Sequence, residues 1–164
     1  MPAYSRTLAA ISLVGGVLTY SLPAVASTSV VTVTLDNKPI TDALPDQLGM
    51  AMPAAKMSQA VMSVNASPAT VPAGEVTFVA TNKSPEFVHE MILVKVADPQ
   101  KQLPYSSGDG KVNEDAAGHL GEVSELDPGK SGSLSMKLDP GTYMLFCNLP
   151  GHYMAGMWTT ITVQ

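Results

Sequence analysis

Apolar and polar residues alternate in short runs along most of the chain, with the two-residue period of a half-buried β-strand. Residues 31–35 alternate valine or leucine with threonine, and residues 76–81 and 133–138 show a similar alternation. Further runs that favour strands cover residues 62–64, 88–96, 142–147 and 158–163. Turns rich in proline and glycine separate many of these runs, and helical periodicity is not sustained over a long stretch. The pattern therefore predicts an all-β sandwich or barrel.

Two stretches depart from this alternation. Residues 36–56 contain three prolines, which predicts a loop or an irregular crossing segment. Residues 98–130 are acidic and contain three prolines and five glycines, which predicts mainly a long surface connection with a short helix near residues 113–117. Both stretches are interpreted as insertions on a common sandwich core.

Residues 1–26 have the three parts of a secretory signal peptide. A short start ends in Arg6, a largely apolar stretch follows, and Pro23-Ala24-Val25-Ala26 supplies an A-x-A cleavage site. An uncleaved membrane anchor is the alternative, but two glycines and a proline weaken a spanning helix, and the apolar run is short for a bilayer. We predict cleavage after Ala26, a single domain at 27–164, and a periplasmic or secreted location without stable membrane insertion.

Length and charge narrow the possible partners. The 164 residues are enough for one domain with its own core, and we expect a monomer. Nine basic and 14 acidic side chains give a formal net charge of −5. The basic residues are scattered singly, which argues against nucleic acid as a partner. The acidic balance instead favours a protein partner with a basic docking face, whose binding weakens as salt rises.

The chemistry is concentrated near the carboxyl end, where Cys147, His152 and Met157 follow one another at C-x4-H-x4-M spacing. Cys147 is the only cysteine, so no intramolecular disulfide is possible, and a free thiol is a liability in an oxidising compartment. Metal binding removes that liability. Thiolate and thioether donors suit copper(I), and imidazole suits both oxidation states of copper. A blue-copper site of this kind needs one more histidine.

Two other histidines are available to complete the site. His89 stands where a loop leads into an apolar strand, which gives a ligand a rigid base. His119 stands in a polar segment and is interpreted as a solvated surface residue, with a secondary metal role as the lesser alternative. His89 is therefore the predicted fourth ligand. The alternative is that His89 is an ordinary core histidine that binds no metal.

Three motifs together resemble the cupredoxins, the family of small type 1 (blue) copper proteins. Residues 141–147 are similar to the plastocyanin-like G-x-Y-x-x-x-C strand, and residues 152–157 are similar to the H-x-x-A-G-M ending of that group. Residues 82–89 resemble the turn that carries the upstream histidine. The resemblance covers residues 61–164 and implies a Greek-key β-sandwich with copper near one end.

The resemblance implies one type 1 copper ion with His89, Cys147 and His152 as equatorial ligands and Met157 as the axial ligand. Met154 offers a competing thioether, but the Ala-Gly turn before Met157 favours the latter. The spacing from cysteine to histidine is two residues longer than in plastocyanins. The residue after the first histidine is glutamate rather than the asparagine or serine that often links the two ligand loops in relatives.

The resemblance also implies a one-electron carrier, not an enzyme, that passes electrons to redox proteins through the edge of the exposed histidine. Leu149, Pro150, Tyr153 and Trp158 are the candidates for an apolar rim around His152 where the partner docks.

Two other functions remain as alternatives. A copper chaperone or copper-resistance protein of the periplasm would use a methionine-rich segment for copper(I), and four methionines are candidates for it: Met50, Met52, Met57 and Met62. Methionine also fills irregular apolar gaps, so these four have a purely structural interpretation too. The third possibility is a copper-enzyme subunit whose catalytic centre lies on another chain.

Overall fold

The computed structural model describes residues 28–40, 43–52 and 54–164, so the predicted signal peptide lies outside the described residues. Within the part of the chain that is described, no helix is both long and apolar enough to cross a bilayer. The helical elements there are a 3-10 helix at Ala54–Gln59 and the short α-helix α1 at Glu114–Ala117. Strands make up the rest of the regular structure, which confirms the all-β prediction.

Two sheets face each other as a sandwich. The first has four strands in the order β2-β1-β4-β9, with β1 parallel to β4 and the other pairs antiparallel. Its strands are β1 (Ser29–Asn37), β2 (Met62–Ser67), β4 (Gly74–Asn82) and β9 (Ser131–Leu138).

The second sheet has five strands in the order β3-β11-β10-β5-β8. A separate two-stranded hairpin, β6 and β7, lies between β5 and α1 in the chain. The strands of the second sheet are β3 (Thr70–Val71), β5 (His89–Val96), β8 (His119–Leu126), β10 (Gly141–Phe146) and β11 (Trp158–Val163). The hairpin consists of β6 (Tyr105–Ser106) and β7 (Lys111–Val112).

The main core lies between the two sheets, because alternate side chains of the first sheet point inward. On β1, Val31, Val33 and Leu35 are fully buried, and on β4 Val76 and Phe78 are also fully buried. These side chains join one hydrophobic cluster with inward-facing residues of the second sheet. Burial of several such side chains, at about 1.5–3 kcal/mol each, gives the sandwich its main stabilisation.

A second, smaller cluster covers the outer face of the five-stranded sheet. Ile92 on β5 and Phe146 on β10 point to this face and are fully buried. Met50, Val112 and Tyr153 cover them from outside the central strands. Because β5 and β10 are covered on both faces, their sequences are almost continuously apolar instead of alternating.

The expected strands all form, and α1 confirms the short helix, with Asn113 as its N-cap. The prediction that residues 98–130 are mainly a loop was wrong, because they include the hairpin and the eight-residue strand β8. β8 is an edge strand in which Val123 and Leu126 are the buried residues. Its pairing with β5 has two register irregularities. Because of them, apolar and polar residues do not alternate regularly along β8, and the sequence does not show the strand.

Candidate metal centre

The predicted site residues meet at one end of the five-stranded sheet. β5 begins with His89, and Cys147 directly follows β10, the antiparallel neighbour of β5. The end of one strand therefore lies beside the start of the other, which brings together two residues 58 positions apart. His152 and Met157 lie in the turn that connects β10 to β11.

Three of these side chains converge to bonding range of a single ion. The Cys147 Sγ lies 3.4 Å from the His152 Nδ1 and 4.0 Å from the His89 Nδ1. One donor atom from each of the three residues lies within 4.8 Å of the other two. The His89 and Cys147 side chains are fully buried, and His152 is 8% exposed. The centre thus brings one sulfur and two ring nitrogens together in a buried position.

Hydrogen bonds within residues 147–157 give the loop its shape. The His152 carbonyl accepts from the Met157 N–H at 3.1 Å, and the Met157 carbonyl accepts from the Cys147 N–H at 3.1 Å. Gly156 takes a φ of +93°, a left-handed conformation that favours glycine. These features return the chain on itself, so Met157 is fully buried in the same core cluster as Cys147.

Burial sets the protonation states of the three donors in the metal-free protein. It is the main reason that the pKa of both His89 and His152 is lowered to about 4; at His89 the neighbouring His152 contributes to the shift and Asp36 opposes it. Burial raises the pKa of the Cys147 thiol to about 12, partly offset by the backbone N–H groups of Glu90 and Leu149. At neutral pH the imidazoles are therefore neutral and offer lone pairs, whereas the thiol must release its proton to a metal.

Glu90, the residue directly after His89, links the two ligand loops. Its side-chain Oε1 accepts a hydrogen bond from the Asn148 N–H at 3.0 Å, and its own N–H points at the Cys147 Sγ at 3.5 Å. Burial raises the pKa of the Glu90 carboxyl, and the Asn148 N–H opposes that shift. Glu90 thus connects the His89 and Cys147 strands by hydrogen bonds, a connection that could not be assigned from the sequence.

Asn148 extends this link to residues 111–117. Its side-chain Oδ1 accepts from the Val112 N–H at 2.7 Å, and its Nδ2 donates to the Val112 carbonyl at 3.0 Å and to the Glu114 Oε1 at 2.8 Å. Sequence reasoning missed this role of the Asn148 side chain. The only sequence signal was an amide residue directly after the cysteine.

Asn82 stabilises the turn before His89 instead of donating to the thiol. Its Nδ2 donates to the Phe87 and Leu126 carbonyls, both at 2.7 Å, and its Oδ1 accepts from the Ser84 N–H at 2.9 Å. The backbone N–H groups that approach the Cys147 sulfur are those of Glu90 and Leu149.

The structure separates the two candidate thioethers. The Met154 sulfur lies 3.1 Å from the Gln102 Nε2, and the side chain packs against the outer core cluster. Met157 belongs to the main cluster that contains Cys147. The four upstream methionines do not gather at one place either, since Met50 is buried in the outer cluster and Met62 in the main one.

One of the four residues predicted to form an apolar rim around His152 does not lie at the surface. Tyr153 is fully buried, its ring stacks edge-on against Phe146, and its hydroxyl accepts from the Met50 N–H at 3.0 Å, so its assignment to the rim was wrong. Trp158 is half-buried and donates to the Leu48 carbonyl at 2.7 Å. The remaining two rim candidates, half-buried Leu149 and exposed Pro150, stay near the surface beside His152.

His119 does not reach the buried centre. It is exposed, as predicted, but it opens strand β8 instead of lying in a loop. Its ring lies in a second group of potential metal ligands, with Glu114 and Glu122. We refer to these three residues as the surface cluster, and to His89, Cys147 and His152 as the buried cluster.

Comparison with known proteins gives a family match over most of the chain. The sequence model of the sulfocyanin (SoxE) domain matches residues 56–164. Sulfocyanin from Sulfolobus acidocaldarius is 30% identical over 99 residues, which cover 57% of this chain and 49% of that protein. Auracyanin-B from Chloroflexus aurantiacus is 44% identical over 50 residues, covering 30% of this chain and 21% of that protein. The matched segments thus span half or less of these two relatives.

Solved structures share the fold. Reduced auracyanin from Roseiflexus castenholzii superposes with a TM-score of 0.52 at 21% identity, covering 85% of this chain and 98% of that one. Rusticyanin from Thiobacillus ferrooxidans superposes with a TM-score of 0.50 at 18% identity, covering 84% and 79% respectively. At these identities the likeness concerns the architecture of the sandwich.

Proposed function

Because the chain belongs to the sulfocyanin (SoxE) domain family of cupredoxins, we propose that it is a type 1 copper protein that carries single electrons between redox partners. The observation that carries this proposal is the buried cluster, in which one thiol and two imidazoles converge beside a buried methionine. When bound, copper supplies the one-electron redox couple, for which soft sulfur and imidazole nitrogen are suitable donors.

We assign four side chains to the copper ion. His89 and His152 would bind through Nδ1 and Cys147 through its sulfur, because these atoms already face one another at 3.4–4.0 Å. Met157 would supply the thioether, supported by its burial in the main core cluster that also contains Cys147. Because the pKa of both imidazoles is lowered to about 4, they are neutral at pH 7 and fit this role without losing a charge.

The fold suits electron transfer because it keeps the donors in place when the charge of the site changes. Strands β5 and β10 hold His89 and Cys147, and the Glu90–Asn148 hydrogen bond joins the two segments. Burial keeps water from the cluster, so little solvent needs to reorganise. This arrangement favours an electron carrier and not an enzyme, since it is built around fixed, buried ligands.

We further propose that electrons pass through His152 to a partner that docks beside it. His152 is the ligand that retains some exposure, at 8%, and Pro150 near it is exposed. A net charge of −5 favours a partner with a basic face. Cleavage after Ala26, export to the periplasm or medium, and a monomeric state complete the proposal.

A copper(II) titration of the wild type and of Cys147→Ser tests the function. We expect the wild type to develop an intense thiolate-to-copper absorption that disappears on reduction and returns on reoxidation. We expect Cys147→Ser to lose this band, because serine offers no thiolate. Circular dichroism on the same samples checks that the variant keeps its strands.

Two outcomes would contradict the carrier. A band that survives in Cys147→Ser would mean that the thiolate is not a ligand. A colourless wild type that takes up several copper(I) ions would instead support the chaperone. The placement of Met50 and Met62 in different core clusters argues against that second function, because a copper(I) site needs its thioethers together.

A further inference from the structure

We propose that the surface cluster of Glu114, His119 and Glu122 is a second metal site, separate from the buried cluster, for a borderline divalent ion of the Zn²⁺ type. One donor atom from each of its three residues lies within 4.8 Å of the other two. The donors are one imidazole nitrogen and two carboxylate groups, so the site differs from the buried cluster in having no sulfur.

The spacing of the donors is close to what such an ion requires. The His119 Nε2 lies 3.7 Å from the Glu122 Oε2. Zinc bonds of about 2.1 Å in a tetrahedron place neighbouring donors about 3.4 Å apart. Small side-chain rotations are therefore enough to close the site, and these rotations are available because the His119 and Glu122 side chains are 32% and 37% exposed.

Both carboxylates are oriented by neutral donors from outside the cluster. The Ser124 hydroxyl donates to the Glu122 Oε1 at 2.7 Å, which leaves the Oε2 of that group facing the His119 ring. The Asn148 Nδ2 donates to the Glu114 Oε1 at 2.8 Å. Hydrogen bonds of this kind to one oxygen of a ligating carboxylate are typical of metal sites, because they fix the orientation of the ligand.

The charge around the cluster favours a cation. Glu114 and Glu122 act electrostatically on the Glu90 carboxyl as well, so three acidic groups lie near one another, with Lys111 as a nearby cation. A divalent ion would relieve this repulsion. Imidazole and carboxylate donors suit Zn²⁺, whereas copper(I) prefers the sulfur of the buried cluster. Three protein ligands leave a position for water.

Calorimetric titration of Zn²⁺ into the full chain, with copper already bound, tests the proposal. Prior copper loading occupies the buried cluster, so that zinc reports on the remaining sites. We expect one saturable zinc ion per chain in the wild type. In His119→Ala and in Glu122→Gln we expect the affinity to fall by more than the roughly 10- to 100-fold that loss of an outer hydrogen-bond partner costs.

Glu125→Gln is the matched control, because Glu125 is an exposed carboxylate on the same strand but is outside the cluster. Its zinc affinity should equal that of the wild type. A wild type without saturable binding, or variants that bind zinc like the wild type, would overturn the proposal. An equal loss in Glu125→Gln would overturn it too, because it would indicate general attraction to negative charge. The thiolate-to-copper absorption of each sample reports separately on the buried cluster.

Discussion

The buried and surface clusters lie on two sides of Asn148, and they differ in burial and in donor atoms. The Asn148 backbone binds Glu90 beside the buried cluster, and its side chain binds Glu114 of the surface cluster. In the buried cluster, a thiol and neutral imidazoles are closed off from water. In the surface cluster, carboxylates and an exposed imidazole remain in contact with solvent. Neighbouring parts of one fold thus offer sites to chemically different ions.

The difference shows what burial does to a ligand. Burial disfavours charge, so the buried histidines stay neutral and the buried thiol keeps its proton until a metal replaces it. The metal-free buried cluster is therefore sensitive to pH and to the loss of any supporting hydrogen bond. The surface cluster is hydrated, and we expect changes there to affect metal binding more than folding.

The largest expected effect is the dependence of the metal-free protein's stability on pH. The pKa of His89 and of His152 is about 4 in the folded state, below the ordinary value of 6.5. Between these values the unfolded chain binds more protons, so the free energy of unfolding falls as pH is lowered from about 6.5 to about 4. The slope is at most about 1.4 kcal/mol per pH unit for each histidine.

Urea denaturation of the metal-free wild type and of His152→Gln across this range measures that slope. Subtraction of the two profiles removes the contribution of carboxylates that titrate in both proteins. We expect the variant to lose more than half of the histidine contribution, because one of the two groups is gone and His89 no longer has the neighbour that lowers its pKa. Identical profiles would show that burial does not hold His152 neutral. The proposed difference between a buried cluster with neutral ligands and a hydrated surface cluster would then be wrong.

A smaller effect is expected from Asn148→Ala, which removes the side chain between the clusters. The Val112 N–H and carbonyl lose their buried partners, which should lower the free energy of unfolding by about 2–4 kcal/mol. Asn113→Ala is the matched control, because Asn113 is an exposed helix cap whose loss should cost about 1 kcal/mol. Urea denaturation compares the two, and equal losses would mean that Asn148 is no more than a surface residue.

The smallest effect on stability is expected from Met157→Leu, a nearly volume-conserving change that should cost less than about 1.5 kcal/mol. We expect its midpoint potential to rise, because copper(II) loses a thioether donor. Met154→Leu, the matched control, should leave the potential unchanged, since the Met154 sulfur faces Gln102. Voltammetry of both variants measures this, and a larger shift in Met154→Leu would reverse the axial assignment.

Local sequence patterns were enough to predict much of the fold and of the buried cluster. The alternation in residues 31–35 and 76–81 reappears as β1 and β4, because one face of each strand is buried against the opposite sheet. Cys147 and His152 are five positions apart, so a compact turn brings them together without help from distant elements. His89 was found because it begins an apolar strand that continues into the core.

Features that depend on contacts between distant segments were not predicted. β8 has few buried residues and an irregular register, so its sequence resembles a loop. The Glu90–Asn148 link joins residues 58 positions apart, and no periodicity signals it. Tyr153 was assigned to the rim because it directly follows His152 in the sequence. In the structure His152 lies at the site, whereas the Tyr153 ring packs in the outer core cluster.

The sequence by itself determined the class of fold and the donor set, because strand periodicity and the spacing of soft ligands are local properties of the chain. Tertiary structure decided which charges are buried, how the ligand loops are joined, and that Glu114, His119 and Glu122 come together. Those outcomes depend on the register between strands and on the segments that cover the outer face of the sheet. Burial and convergence in space are set by the packing of the whole chain, and so they became visible only in the folded protein.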